Sequence, residues 1–387
     1  MRRIGKHRAV RPQWCWARSN GHGDMADSLA GDRVYWTDIM AMSSISNAET
    51  RSGMAVAGDF IFILGMMPRT GTHFLTNLLC LHPDCVRSPL EEDDLLTGAH
   101  LLARYVNTLH RRWDAVMGEA NPGNPELLYC CLGHGLLEFL RLTKLQGVDE
   151  YAGQAKVSTL AVPSPARPLR LVARNIRVTH LDYFFKLFPQ AHLLLLIRDG
   201  RAVVESSVRT FGHEFESQIR AWARAADALH QFDCNPQHAG HRYLLVRYED
   251  LYTQTEKAMR RILTFLNLEE HHYDFQAALH LPVVGSSTFK RGAGPVHWMP
   301  LVKTPEFDPL ARTAHWSRAQ HVRFNWLAAA QLERLGYAPK TSPGARWWWT
   351  LWNRGMDLKW LGRRVGGRLR HACISGWKLF YPHHQSE

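Results

Sequence analysis

Apolar and polar positions along this chain follow two rhythms. Residues 60–64 (FIFIL), 169–173, 191–197 and 243–247 are short, nearly unbroken apolar runs rich in β-forming side chains. Runs of that length and composition read as strands buried on both faces. The segments between them carry apolar residues at helical spacing. They predict helices over 74–81, stopped by Pro83, and over 178–188, 201–210 and 214–230. A further helix is predicted over 256–268, with Met259, Ile262, Leu263 and Leu266 on one face. Strands alternating with helices predict the α/β class: a P-loop-like, doubly wound parallel sheet flanked by helices.

Other segments break the alternation. Two longer amphipathic patterns, 95–116 and 126–145, flank the turn Asn121-Pro122-Gly123-Asn124-Pro125. They read as a helical insertion over 95–150, placed where an α/β enzyme builds the wall of its acceptor pocket. Residues 281–309 are loop-rich, and 316–336 read as a closing helix of a domain covering 58–340. Residues 1–57 show no periodicity and are expected to be a poorly ordered tail. Residues 341–387 change character: Trp347, Trp348, Trp349, Trp352, Trp360 and Trp377 are interleaved with basic residues, and Gly355, Gly362, Gly366 and Gly367 interrupt the helical pattern.

Composition narrows the class of partner. The 387 residues carry a formal net charge of +12. Much of the excess lies at the C-terminal end, where Arg346, Arg354, Lys359, Arg363, Arg364, Arg368, Arg370 and Lys378 stand against Asp357 and Glu387. Such a balance suits an anionic ligand, a membrane surface or nucleic acid. No nucleic-acid-binding module is recognisable. The seven cysteines are scattered with no C-x-x-C, which argues for a reducing compartment and against a disulfide framework or zinc knuckle. The cytosol is the default location, with no secretory leader and no apolar run of membrane-spanning length. Peripheral membrane contact through 343–387 is the open alternative, and aromatic cover packed back onto the domain is the other reading of that segment.

The candidate chemistry collects where strands end. After the first strand comes Pro68-Arg69-Thr70-Gly71-Thr72-His73, then a helix. A strand, a short glycine-containing turn and a helix start present backbone N–H groups and a helix dipole to an anion. After the third strand comes Arg198-Asp199-Gly200-Arg201, with Ser206 eight residues beyond Arg198, so that a guanidinium and a hydroxyl can meet on one anion. A third cluster, Ser286-Ser287-Thr288-Phe289-Lys290-Arg291-Gly292, reads as a basic loop suited to a phosphate. The structural alternatives are an ordinary strand-to-helix turn, pairing of Arg198 with Asp199 or a neighbouring loop, and a solvated surface loop. No G-x-x-x-x-G-K-[ST] occurs and no strand-end acid offers itself to magnesium. A donor with two phosphate-like groups, used without a metal, fits better than ATP.

These residues resemble the motifs of sulfotransferases. MPRTGTHFLTNLLCLHP is similar to the family's 5′-phosphosulfate loop, and RDGRAVVESSVR to its 3′-phosphate motif, including the Arg-to-Ser spacing. VRYEDLYTQTEKAMRRILTFLNL looks like the Y-E-D-L strand–helix that follows, and FKRGAGPVHW like the R-K-G loop over the nucleotide. The flavour is that of the bacterial and tyrosylprotein-type branch. The resemblance implies transfer of a sulfuryl group from 3′-phosphoadenosine 5′-phosphosulfate (PAPS) as co-substrate to a hydroxyl or amine of a small-molecule, lipid or glycan acceptor, with no metal. It implies that Arg69, Thr70, Gly71, Thr72 and His73 hold the 5′-phosphosulfate. Arg198 and Ser206, joined by Lys290, Arg291 and Gly292, would take the 3′-phosphate. Tyr248 would lie near the adenine or ribose, with Ser287 on the same side.

The chain departs from the pattern twice. His73 replaces the second Thr of the loop, and Arg174 stands where the family often has a Lys near the sulfuryl bridge. An arginine stabilises a leaving oxygen by charge but does not give up its proton. For the base, Glu91 or Glu92 in the acidic run 91–94 matches the Glu that follows the family's H-P, two residues late, and His73 is the rival. A P-loop small-molecule kinase and a catalytically inactive nucleotide-binding scaffold are the competing readings.

Overall fold

The first strand, β1 (Phe60–Gly65), is buried along its whole length. Its alternate residues face opposite sides of the sheet, as a period of two requires. Phe60, Phe62 and Leu64 enter one core with Phe184, Phe188, Trp222 and Phe324. Ile61 and Ile63 enter the other with Phe74, Leu75, Leu78, Tyr248 and Leu263. Burying each of these side chains contributes roughly 1.5–3 kcal/mol. Helices therefore cover both faces, which is why the strands read as continuous apolar runs.

The computed structural model describes residues 60–90, 92–118, 123–145, 169–178, 180–238, 240–284, 300–301, 308–338 and 346–380. After β1 come α1 (Thr72–Leu79), β2 (Cys85–Arg87), α2 (Ala99–Met117), α3 (Pro125–Leu145), β3 (Arg170–Asn175) and the short α4 (Phe184–Leu187). Then follow β4 (His192–Ile197), α5 (Gly200–Phe211), α6 (Phe215–Asp233), β5 (Tyr243–Arg247), α7 (Tyr248–Thr253), α8 (Thr255–Leu266) and α9 (Phe275–His280). The antiparallel pair β6 (Val283–Val284) and β7 (Pro300–Leu301), α10 (Arg318–Arg334) and α11 (Arg346–Phe380) complete the chain. The main sheet has five parallel strands in the order β2-β3-β1-β4-β5. It is the doubly wound α/β sheet that the alternation of apolar runs predicts.

Three local expectations change. The helix expected over 178–188 is only a 3-10 turn, Leu181–Tyr183, and the four residues of α4, because His180 takes a left-handed φ of 59° and breaks the first turn. The insertion helix expected from 95 starts at Ala99, after Asp93 and Asp94 fold the chain into a turn. The glycines of the C-terminal segment do not interrupt it: α11 runs through Gly355, Gly362, Gly366 and Gly367. The expected tail over 1–57 lies outside the described residues.

In this strand order the connections leaving β1 and β4 head in opposite directions, towards β2 and β5. That crevice at the carboxyl ends of β1 and β4 is the topological switch point, where open α/β sheets bind ligands.

Candidate active site

The loop after β1 is held by its own side chains. Thr70 Oγ1 donates to the Met67 carbonyl at 2.6 Å and accepts the Met67 N–H at 3.3 Å. The Thr70 hydroxyl, expected to hold a phosphosulfate, thus staples the turn from inside. Arg69 and Gly71 both lie in left-handed backbone, at φ 76° and 109°. For an arginine that strain is on the order of 1–3 kcal/mol and clusters at functional sites. Gly71 is obligatory for a second reason: a Cβ there would sit 2.3 Å from Cδ2 of Tyr248. Thr72, with its side chain buried, opens α1. The first N–H groups of α1 lack intrahelical partners and form the positive end of the helix.

The segment after β4 is built to release Arg198 towards that loop. Asp199 caps α5 by accepting the Arg201 N–H at 2.9 Å, and it pairs with the Arg201 guanidinium at 2.7 Å. Its own N–H donates to Glu249 Oε1 at 2.9 Å, and Glu249 Oε2 accepts from the Tyr337 hydroxyl at 2.9 Å. Asp199 is therefore engaged by Arg201 and Glu249; of the two structural alternatives weighed for Arg198, pairing with Asp199 gives way to an Arg201–Asp199 pair, and bonding to neighbouring loops is found. Arg198 donates from Nη1 to the Arg69 carbonyl at 2.9 Å and from Nη2 to the Pro309 carbonyl at 2.8 Å. Its guanidinium lies 4.0 Å from the centre of the Tyr248 ring. Arg69 Nε donates to Ser206 Oγ at 3.0 Å. Arg69, Arg198, Ser206 and Tyr248, spread over 180 residues of chain, thus meet at the switch point.

The electrostatics of this cluster favour an anion. Burial first, then the neighbouring Arg198 and Arg312, pull the Arg69 guanidinium down to about 10. Burial and Arg198 bring Arg312 down to about 10 as well. Three cations repelling one another in a partly desolvated crevice are relieved by a bound negative group. Arg312 was missed in the sequence because it lies in a loop-rich stretch with no motif around it; only the fold lays it beside Arg198.

A second polar group lies on the other side of the α1 N-terminus. His73 and Arg174 line a small crevice with Thr76, Asn77, Arg87, Ser88, Leu90 and Val172. Arg174 is buried at the end of β3, and its carbonyl accepts the Asp93 N–H at 3.1 Å. Glu92, next to Asp93 in the sequence, is half-buried. Glu91, Ser287, Lys290, Arg291 and Gly292 lie outside the described residues.

Asp93 was not singled out from its acidic neighbours by sequence, yet it is the buried one among those described, Glu92, Asp93 and Asp94. Oδ1 accepts the Leu95 N–H at 3.1 Å, while Oδ2 is buried with no hydrogen-bond partner. Burial pushes its carboxyl up to about 7. An acid whose pKa is raised by folding binds its proton more tightly in the native state, so stability falls as pH rises. The loss starts above the unfolded value near 4 and is complete once pH passes about 7. Asp93→Asn is expected to keep the Leu95 contact and remove this penalty, on the order of 4 kcal/mol. Urea unfolding at pH 5 and pH 8 checks it: the variant gains stability over wild type at pH 8 and little at pH 5.

The sequence profile of the sulfotransferase family matches residues 60–272, from β1 to the turn after α8. The chain belongs to the sulfotransferase family. Protein-tyrosine sulfotransferase 1 of Danio rerio is 25% identical to it over 321 residues, which is 77% of this chain and 79% of that protein. Protein-tyrosine sulfotransferase A of Caenorhabditis elegans is 26% identical over 325 residues, 79% of this chain and 74% of that one. Among solved structures, a mouse sulfotransferase complexed with PAP is 12% identical, with 71% of this chain and 84% of that one covered and a TM-score of 0.36. The family read from four ordered motifs is thus the family of the chain. The region of this sulfotransferase that matches contains every described residue of the candidate site except Pro309, Arg312 and Tyr337.

Proposed function

We propose that this sulfotransferase takes PAPS at the β1/β4 switch point and moves its sulfuryl group to a hydroxyl or amine of a small-molecule, lipid or glycan acceptor. The observation that carries the reading is the meeting of Arg69, Arg198, Arg312 and Ser206 at one point of the sheet edge. A nucleotide bearing phosphate at both its 3′ and 5′ positions supplies two anionic groups, one for this cluster and one for the adjoining N-terminus of α1. Because Arg69 donates to Ser206, it belongs with the 3′-phosphate pair as much as with the 5′ loop. In that view Arg69 links the two ends of the donor, and the Arg69–Ser206 bond is a resting contact that phosphate oxygens replace.

The chemistry asks the protein for little covalent work. The acceptor oxygen or nitrogen attacks sulfur in line with the bond to the 5′-phosphate oxygen. That bond breaks, PAP departs with the electron pair, and the acceptor proton passes to a base. Positioning and charge stabilisation do most of the work. Arg174 and the N–H groups at the start of α1 stabilise the leaving phosphate, which needs no proton from them. Glu91 or Glu92 serves as the base, with His73 as the rival next to the reacting group. Glu91→Gln or Glu92→Gln is expected to leave PAP binding within about twofold and to lower turnover by about 10²–10⁴, the usual worth of general base catalysis. Full activity in both single variants and the double moves the base to His73.

A tyrosyl peptide is the second acceptor class. The two protein-tyrosine sulfotransferases matched over three-quarters of the chain favour it. Transfer of labelled sulfate from PAPS, run over a panel of lipids, glycans, small hydroxyl compounds and tyrosyl peptides, tests the function and chooses the acceptor. Label in no acceptor, together with magnesium-dependent phosphate transfer from ATP, would return the kinase reading; PAP binding without any transfer would support the scaffold reading.

A further inference from the structure

The helix α11 has two faces of different fate. Its inner face is clamped to the body by a buried polar network. Arg323, on α10, bonds Glu216 at 2.6 Å, Asp357 at 2.6 Å and the Asn353 carbonyl at 3.0 Å. Arg220 reaches Asp357 at 2.8 Å and stacks 4.1 Å from the Trp360 ring centre, and Trp326 Nε1 donates to Asp357 at 2.9 Å. Asn353 and Arg323 are almost wholly buried. That clamp fixes which side of the helix faces away from the domain.

The outward side is apolar where a solvated helix would be polar. Trp347, Leu351, Leu358, Leu361 and Val365 recur at intervals of three, four or seven residues, and Trp348 stands beside them. Trp347 is 66% exposed and Leu358 71%. Gly355 and Gly362 fall on the same side, where an added Cβ would meet nothing within 4 Å, so the stripe is open along its length. Basic residues accompany it: Arg354 stands within the stripe, between Leu361 and Trp347 around the helix, and Lys359 and Arg363 border one flank, all exposed, with Arg363 also paired to Glu214 at 3.3 Å. Among the described residues no helix is long and apolar enough to cross a membrane. An apolar stripe with tryptophans and a basic margin, on a helix too polar to span, is the pattern of a helix lying in a lipid–water interface.

We infer that the outward face of α11 docks this sulfotransferase on an anionic membrane surface, with the stripe entering the acyl boundary, Arg354 and Lys359 meeting acidic headgroups, and Arg363 exchanging its Glu214 partner for one. Charge complementarity selects lipid over a second copy of the chain. The one acid of α11, Asp357, is consumed by the inner clamp, so two copies packed stripe to stripe would set basic margin against basic margin. The docking is separate from the donor site, so its failure leaves the sulfuryl-transfer reading standing.

The test uses the full chain and large vesicles of phosphatidylcholine with or without phosphatidylserine, read by co-sedimentation. Wild type is expected to partition at least tenfold better onto the phosphatidylserine vesicles, and added salt is expected to weaken that. Leu351→Ser with Leu358→Ser, and separately Lys359→Glu with Arg363→Glu, should each lower partition at least tenfold while PAP affinity stays unchanged. Leu127→Ser with Phe139→Ser, exposed apolar positions on α3, should leave it intact. Equal partition of wild type onto neutral and anionic vesicles overturns the inference. So does a dimer, seen by light scattering, that the Leu351→Ser, Leu358→Ser pair dissolves.

Discussion

Arg198→Ala is expected to weaken binding of PAP by about a hundredfold or more. Charge-assisted hydrogen bonds are worth roughly 1.5–3 kcal/mol each, and a guanidinium facing a phosphate makes up to two. The residue also organises the site that it charges. It holds the Arg69 carbonyl at 2.9 Å and the Pro309 carbonyl at 2.8 Å, and its plane covers the Tyr248 ring. Alanine therefore removes a charge from the anion and a brace from the loop that carries the strained Arg69. Arg198→Lys separates the two effects. Lysine keeps the charge but not the planar fork, so its affinity should fall between wild type and alanine. Calorimetry on both variants, with thermal unfolding as a check on folding, reads the result. Wild-type affinity in the alanine variant would remove Arg198 from the site.

Gly71→Ala is expected to lose both stability and turnover. The left-handed φ of 109° is unfavourable for any side chain, by about 1–2 kcal/mol. The new methyl would meet Tyr248 Cδ2 at 2.3 Å, and the Tyr248 ring is held by Arg198 and fully buried. Neither side can yield without moving the loop or the ring, and overpacking of that kind adds about 1–3 kcal/mol. The sum is roughly 2–5 kcal/mol of stability by the same two figures. kcat/KM is expected to fall by more than the folded fraction does, because the proposed function has this loop bind the donor. Urea unfolding and steady-state rates check both; an alanine variant with normal stability and normal rates would show that the loop geometry is not required.

How much of this was legible in the sequence depended on whether the information is local. β1 and β4 announced themselves as apolar runs because both faces of a central parallel strand are buried. The loop after β1 was legible because Arg69, Gly71 and the helix start are contiguous. What the sequence hid was the division of labour among nearby charges. Asp199 could have paired with Arg198 or Arg201; the α5 cap and Glu249 decide for Arg201, and both depend on where β5 lies. Arg312 and Pro309 reach the site from more than a hundred residues away with no periodicity to flag them. Among the described acids of that run, Glu92, Asp93 and Asp94, burial distinguishes Asp93, and burial is a tertiary property. The helix α11 was obscured for the opposite reason. Each glycine lowers local helix propensity by roughly 1 kcal/mol, and the inner clamp through Arg323 and Asp357 supplies what local preference lacks. The aromatic-cover reading describes the inner face, where Trp360 stacks on Arg220, and the outward face is exposed.

The central claim is that the β1/β4 switch point is the site of a 3′,5′-bisphosphorylated nucleotide. Titration calorimetry of the wild-type protein with PAP, alongside Arg198→Ala, tests it most directly. The account predicts one site per chain in wild type and at least a hundredfold weaker binding in the variant. Absence of PAP binding to folded wild type, or equal binding by both proteins, would contradict it.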